Sequence, residues 1–288
     1  VNLPRKNINP LTNYMRQPKI YIRLPSNGEY WPEGSLIHSE TGEYPVYSMT
    51  AKDELLIKIP DALLNGQAIV DVIQNCMPNI KNAWDVPSID IDTILIAIRI
   101  ATYGEIMNTP VNLSGDIEYD YQVDLRIVLD NLQQTITWNH IIPVRDDLTV
   151  YVKPLTYKEI SAASIQSFET QKIINMVNDN QLTEDQKVEA FQKSFAKLTE
   201  VTIGVVKNSV FRIDTDTGST DNSVHIQEFI DNIDKDIFNI IQNHLDELKN
   251  TNIIKPLEIE TPDEIKQQGY TKDTITIPLI FDPSTFFV

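Results

Sequence analysis

The sequence is poor in the residues that carry most enzyme chemistry. Cysteine occurs once in 288 residues, at Cys76, which excludes an intramolecular disulfide and any Cys-x-x-Cys zinc or redox motif. Met77 and Pro78 follow it and no cation lies close in sequence, so we read a buried structural thiol. The four histidines, His38, His140, His225 and His244, form no H-E-x-x-H pair and fall on different predicted elements. Each reads as a surface or core residue rather than a ligand. The nine glycines fit neither G-x-x-x-x-G-K-[ST] nor G-x-G-x-x-G, and no serine sits in a G-x-S-x-G elbow. Long apolar runs are lacking too. The longest, Ile94 to Ala101, is interrupted by Arg99, far short of the ~18–20 residues of a membrane span. Val1 to Tyr21 is polar and basic, without the apolar core of a signal peptide. The expectation is a soluble, intracellularly made protein with no cofactor, metal or membrane.

Positive charge is scarce except at the start. The net charge is −17, yet residues 1–23 carry Arg5, Lys6, Arg16, Lys19 and Arg23 and no acid. The other 265 residues hold 19 basic and 41 acidic groups, a charge of −22. An acidic body repels phosphate, which argues against a nucleic-acid partner. It favours solubility, and mutual repulsion of such bodies would oppose premature self-assembly.

The pattern predicts an α+β protein with short mixed or antiparallel sheets and two predominantly helical blocks. Residues 1–17, with Pro4 and Pro10, read as an extended basic arm. Residues 18–155 read as an α+β domain. Its strands begin with alternating Ile20, Ile22 and Leu24 and with Tyr44 to Met49, the latter an edge because of Pro45. Thr50 is a plausible N-cap, and Asp61 to Gly66 a short helical turn. Ala68 to Met77 is helical, and 89–103 is a helix apolar on nearly every side, ended by Gly104. Residues 117–125 alternate strictly, and 135–155 resembles a hairpin about Pro143 to Asp147. Capping boxes at Thr156 and Thr183 open a mainly helical domain over 156–250, with a short strand and polar loop at 209–223 and a helix break near Asp234. The remainder, 251–288, reads as an extended segment with one strand near Thr274.

Two acidic clusters were candidates for chemistry. Asp214 to Asp221 matches a calcium loop at positions 1 and 3. It fails at position 5 (Gly218), position 6 (Ser219 for glycine) and position 12 (His225 for glutamate). A polar hairpin loop explains it better than a cation site. The acids from Asp116 to Asp124 alternate with apolar residues and read as one solvated strand face. Aromatic residues crowd the two ends. Tyr14, Tyr30 and Trp31 lie near the start and Phe286 and Phe287 at the close. Such residues either staple the termini to the body or anchor a partner. With Arg5, Lys6 and Arg16 they make up the candidate partner-binding set.

Several stretches carry a resemblance: Lys19 to Ser26, Tyr44 to Glu54, Asp61 to Gly66, Val70 to Ile73, Pro78 to Lys81, Pro87 to Asp90, Arg99 to Gly104 and Phe281 to Phe287. Together they resemble the baseplate hub and hub-assembly proteins of T-even-type contractile-tailed bacteriophages, most specifically from Met49 to Gly104. The resemblance implies a protein made in the host bacterial cytoplasm and working in the tail baseplate. Its partners would be other baseplate or tail-hub proteins, without a small-molecule substrate or transferable catalytic residues. Some members carry a Cys-x-x-Cys before the alternating strand. Asn112-Leu113-Ser114-Gly115 stands there instead, so that metal knuckle is lost. The expected role is a structural hub subunit; the alternatives are an assembly chaperone missing from the finished particle, a tail-associated cell-wall hydrolase, and a weak cation-binding module. In this reading the helices of 49–104 and 156–250 form a rigid body and the two ends bind partners.

Overall fold

A computed structural model describes residues 11, 14–59, 65–113, 117–135, 138–177, 183–279 and 286–287. The expected arm and the turn at Asp61 to Leu64 lie largely outside these residues. The fold is α+β, and its sheets among the described residues are antiparallel. β1 (Pro18–Ile22) pairs with β2 (Tyr44–Tyr47), setting Ile20 opposite Val46 and Ile22 opposite Tyr44. α1 (Ala51–Leu56) starts at Thr50, whose side chain and Asp53 form a reciprocal capping box. α2 (Gln67–Cys76) buries Ala68, Ile69, Val70, Val72, Ile73 and Cys76. Gly66 begins it at φ 79, and an added Cβ would meet Ser161, Trp84 and Tyr157 at 3.1–3.3 Å, so both backbone and space require glycine there.

α3 (Ser88–Tyr103) is the centre of the first core and is buried on most sides. Each fully buried isoleucine or leucine on it contributes about 1.5–3 kcal/mol. The helix stops at Gly104, φ 93. β3 (Ile106–Leu113) and β4 (Ile117–Asp124) then form a ladder from Ile106–Asp124 to Leu113–Ile117, and α4 (Leu125–Thr135) packs back on α3.

β5 (Ile141–Arg145), β6 (Leu148–Val152), β7 (Val210–Thr215) and β8 (Gly218–Thr220) form a four-stranded sheet in that order. Between β6 and β7 runs the helical hairpin of α5 (Tyr157–Val177) and α6 (Glu184–Ser209). α7 (Ser223–Asn232) and α8 (Lys235–Asn252) follow, each capped by the side chain before it, Asn222 and Asp234. They close a second core with Ile142, Val150, Val206, Ile230 and Ile241. β9 (Leu257–Glu260) pairs with β10 (Thr274–Ile277) around α9 (Asp263–Gln267). Ile265, Tyr270, Ile275, Ile277, Phe286 and Phe287 from this last stretch return to the first core.

The structure adds to or corrects the sequence reading in three places. Residues 106–113 are a strand; Pro110 and the two asparagines break its alternation in the sequence, but the ladder with β4 is made by main chain. Residues 125–135 are a helix, with Leu125, Val128, Leu129 and Leu132 buried at helical spacing. The first strand of the 135–155 hairpin is Ile141–Arg145, so Pro143 lies within it and the turn is Asp146-Asp147. Strands 141–152 pack with the helices of 184–252 in the second core, and the C-terminal segment packs into the first.

The chain leaving β6 is tied to the start of α3 and the first core. Ser88 N donates to Leu155 O at 2.7 Å, Tyr157 N donates to Val86 O at 2.8 Å, and Trp84 stacks on Tyr157 with centroids 5.7 Å apart.

Candidate functional site

The candidate partner-binding residues are not gathered in one place. Arg5 and Lys6 lie outside the described residues. Tyr14 is 85% exposed, beside exposed Leu11 and Met15. Arg16 is built into the body: its guanidinium donates to Ser48 O and Asn75 O, stands 3.8 Å from Asp53 Oδ2, and lies 5.7 Å over the Tyr47 ring. Asp53 is buried and also accepts from Asn75 Nδ2 at 2.8 Å. Arg16 is therefore the cation facing a buried carboxylate.

Tyr30 and Trp31 are half-buried at the end of the turn that follows β1. Tyr30 adopts φ 66, and burial followed by Glu29 pushes its hydroxyl pKa up. Trp31 Nε1 donates to Asp90 Oδ2 at 2.9 Å, and Asp90 also accepts from Ser26 N at 2.8 Å and Ser26 Oγ at 2.5 Å. Asp90 is fully buried in the first turn of α3. Burial pushes its carboxyl up to about 6, against the opposing pull of these three bonds. The residue thus pins the turn at 25–31 to the central helix. Its importance was invisible in the sequence, where it read only as a helix start.

Phe286 and Phe287 are 3% and 1% exposed, with centroids 5.1 Å apart, and Tyr103 Oη donates to Phe287 O at 3.0 Å. Between stapling and docking, the geometry places this pair in the staple role: it fills the first core and presents no free ring.

The other candidates for chemistry resolve simply. Cys76 is buried, and burial first, then Asp53, push its thiol up to about 12. Arg212 Nε and Nη2 donate to the two oxygens of Asp214 at 2.8 and 3.0 Å, and this pairing holds the Asp214 carboxyl below its ordinary value. The first acid of the would-be calcium loop is thus already paired, and 210–220 is a β-hairpin. Glu118 and Asp120 of β4 are exposed and alternate with buried or half-buried residues. Among the described residues no three histidines, cysteines or acids gather where they could hold a metal ion, and no helix is long and apolar enough to cross a membrane.

One concave feature stands out. A cavity of about 710 Å³ opens where the N-terminal end of α3 meets α5, α6 and α8. Ile89, Leu132, Trp138, Val205 and Leu245 supply much of its apolar wall. Asp92 and Asn252 are polar groups set in that wall. Burial alone pushes the Asp92 carboxyl up to about 6.

The T4 bacteriophage base plate protein family, compared as a sequence profile, matches residues 17–268. The match runs from the residue after the Arg16 clamp through α9. The chain belongs to this family. No curated protein and no solved structure matches the chain. Membership makes it a phage baseplate protein. The matched range takes in the whole second core and the first core up to Ile265.

Proposed function

We propose that this baseplate-family chain is a non-enzymatic structural or assembly component of the baseplate hub, acting through contacts with other tail proteins. The match to a baseplate family across both cores carries the reading. The paired state of Asp53, Asp90 and Asp214 supports it, since each is engaged in holding the fold rather than free to act as an acid or base. Assembly would take place in the host cytoplasm, with the −22 body keeping copies apart until a partner arrives. Arg5, Lys6, Tyr14 and Tyr30 are the partner-facing residues in this proposal. Arg16, Trp31, Phe286 and Phe287 support it from within the body.

The test is complementation of a phage lacking this chain by a version without residues 1–13, which spares the Arg16 clamp. The truncated chain should melt cooperatively like the full one but yield fewer complete tails. Full restoration of tail yield would remove the arm from partner capture, and loss of a cooperative melt would make it part of the fold.

A further inference from the structure

The cavity at the joint of the two cores has a chemical asymmetry. Its wall is mostly apolar, yet it holds a buried acceptor with no donor among the described residues, Asn252 Oδ1, and the partly exposed carboxylate of Asp92. Asn252 uses its Nδ2 to donate to Leu248 O at 2.9 Å, which leaves the oxygen directed elsewhere. Asp92 lies on α3 with only partial exposure, among apolar neighbours. Asp246 and Lys249, which also line the cavity, are exposed, and neither is bonded to Asp92. A buried acceptor left without a donor costs about 1–3 kcal/mol, and Asn252 Oδ1 carries that cost here. The partly exposed Asp92 carboxylate is a second, anionic acceptor in the same wall that a donor-bearing occupant would pair.

We propose that this cavity receives a lysine side chain presented by another baseplate protein, its aliphatic stem against Leu132, Val205 and Leu245 and its ammonium donating to Asp92 and Asn252. Charge complementarity carries the assignment, because the unpaired groups are acceptors, one of them anionic, in an apolar wall. An ammonium has three donors on a compact head and an apolar stem, which matches both parts of the site. The volume suits one or two side chains with part of the segment that bears them, within the usual range for ligand clefts. The position is also informative. A residue seated there would touch α3 of the first core and α5, α6 and α8 of the second, so binding would fix the two cores against each other.

The lysine's source rests on the baseplate reading, so two experiments separate the site from its partner. The first uses the full chain alone, with n-hexylammonium as probe and 1-hexanol as its neutral counterpart, read at the Trp138 indole resonance and assigned with W138F. Hexylammonium should bind about tenfold more tightly than hexanol, the low end for a charge-assisted hydrogen bond. In Asp92→Asn the ratio should fall toward one, and Asn252→Leu should lower it in part. Equal binding of the two probes, or a ratio unchanged in Asp92→Asn, overturns the site. The second experiment is carbodiimide cross-linking of purified baseplates, which joins carboxylates to amines in contact. An Asp92 link to a lysine of another protein supports the proposal. A link to Lys6 or Lys249 of this chain, or links at its other acids with none at Asp92, overturns it. Failure of the baseplate reading itself would show as absence of the chain from those particles, while the hexylammonium result would stand.

Discussion

Replacing Asp92 by asparagine should make this protein more stable at neutral pH, although it removes a charged residue from a helix. The carboxyl sits among apolar neighbours without a donor, and burial raises it from 3.8 to about 6. Holding it ionised therefore costs up to about 3 kcal/mol at pH 7, because each tenfold change in proton affinity is worth ~1.36 kcal/mol. The sign follows from linkage. Between about pH 4 and 6 the folded chain holds a proton on Asp92 that the unfolded chain has released, so this group's contribution to stability falls as pH rises through 6 and is flat above. Asp90, raised to about 6 by burial, acts in the same direction and is present in both proteins. The gap between Asp92→Asn and wild type should be near zero at pH 4 and approach about 3 kcal/mol by pH 7.5. Urea unfolding at the two pH values measures it. Equal stabilities at pH 7.5, or a gap that shrinks as pH rises, would refute the claim that the carboxylate is unpaired.

Arg16→Ala should cost about 3 kcal/mol in urea unfolding, because it leaves the buried Asp53 carboxylate without its cation; a loss under 1 kcal/mol would mean that the clamp is ornamental. Phe287→Ala should cost about 3–5 kcal/mol, since the ring is 1% exposed in the first core, and a melting temperature unchanged from wild type would return that residue to the list of partner anchors. Cys76, with its thiol pushed up to about 12, should resist a thiol reagent at pH 8 until denaturant is added. Rapid labelling of the native chain would show that the α1–α2 region opens readily.

Much of the fold is legible in the sequence where local chemistry is strong. The boxes at Thr50, Thr156 and Thr183 mark helix starts because each supplies its own first-turn hydrogen bonds. The break between α7 and α8 shows as a change of phase at Asp234, which caps the second helix. What is lost is what depends on pairing at a distance. β3 carries Pro110 and has no regular alternation, and its ladder with β4 makes it a strand. α4 follows β4 directly, without a turn signal to mark its start. The return of Phe286 and Phe287 to α3, across 184 positions, has no local signature. The same holds for the sites. Trp31 and Arg16 stand out as residue types, but their partners Asp90 and Asp53 are ordinary acids until the fold encloses them. Asp92 and Asn252 lie 160 positions apart and share a cavity only because the two cores meet there.

The central claim is that this family member works inside the tail baseplate by binding other proteins. Quantitative mass spectrometry of purified mature particles, set beside assembly intermediates from infected cells, tests it most directly. A hub subunit appears in mature particles at a fixed copy number that matches a small symmetric multiple of the other hub proteins. Presence in intermediates alone would make the chain an assembly chaperone, and absence from both would contradict the account.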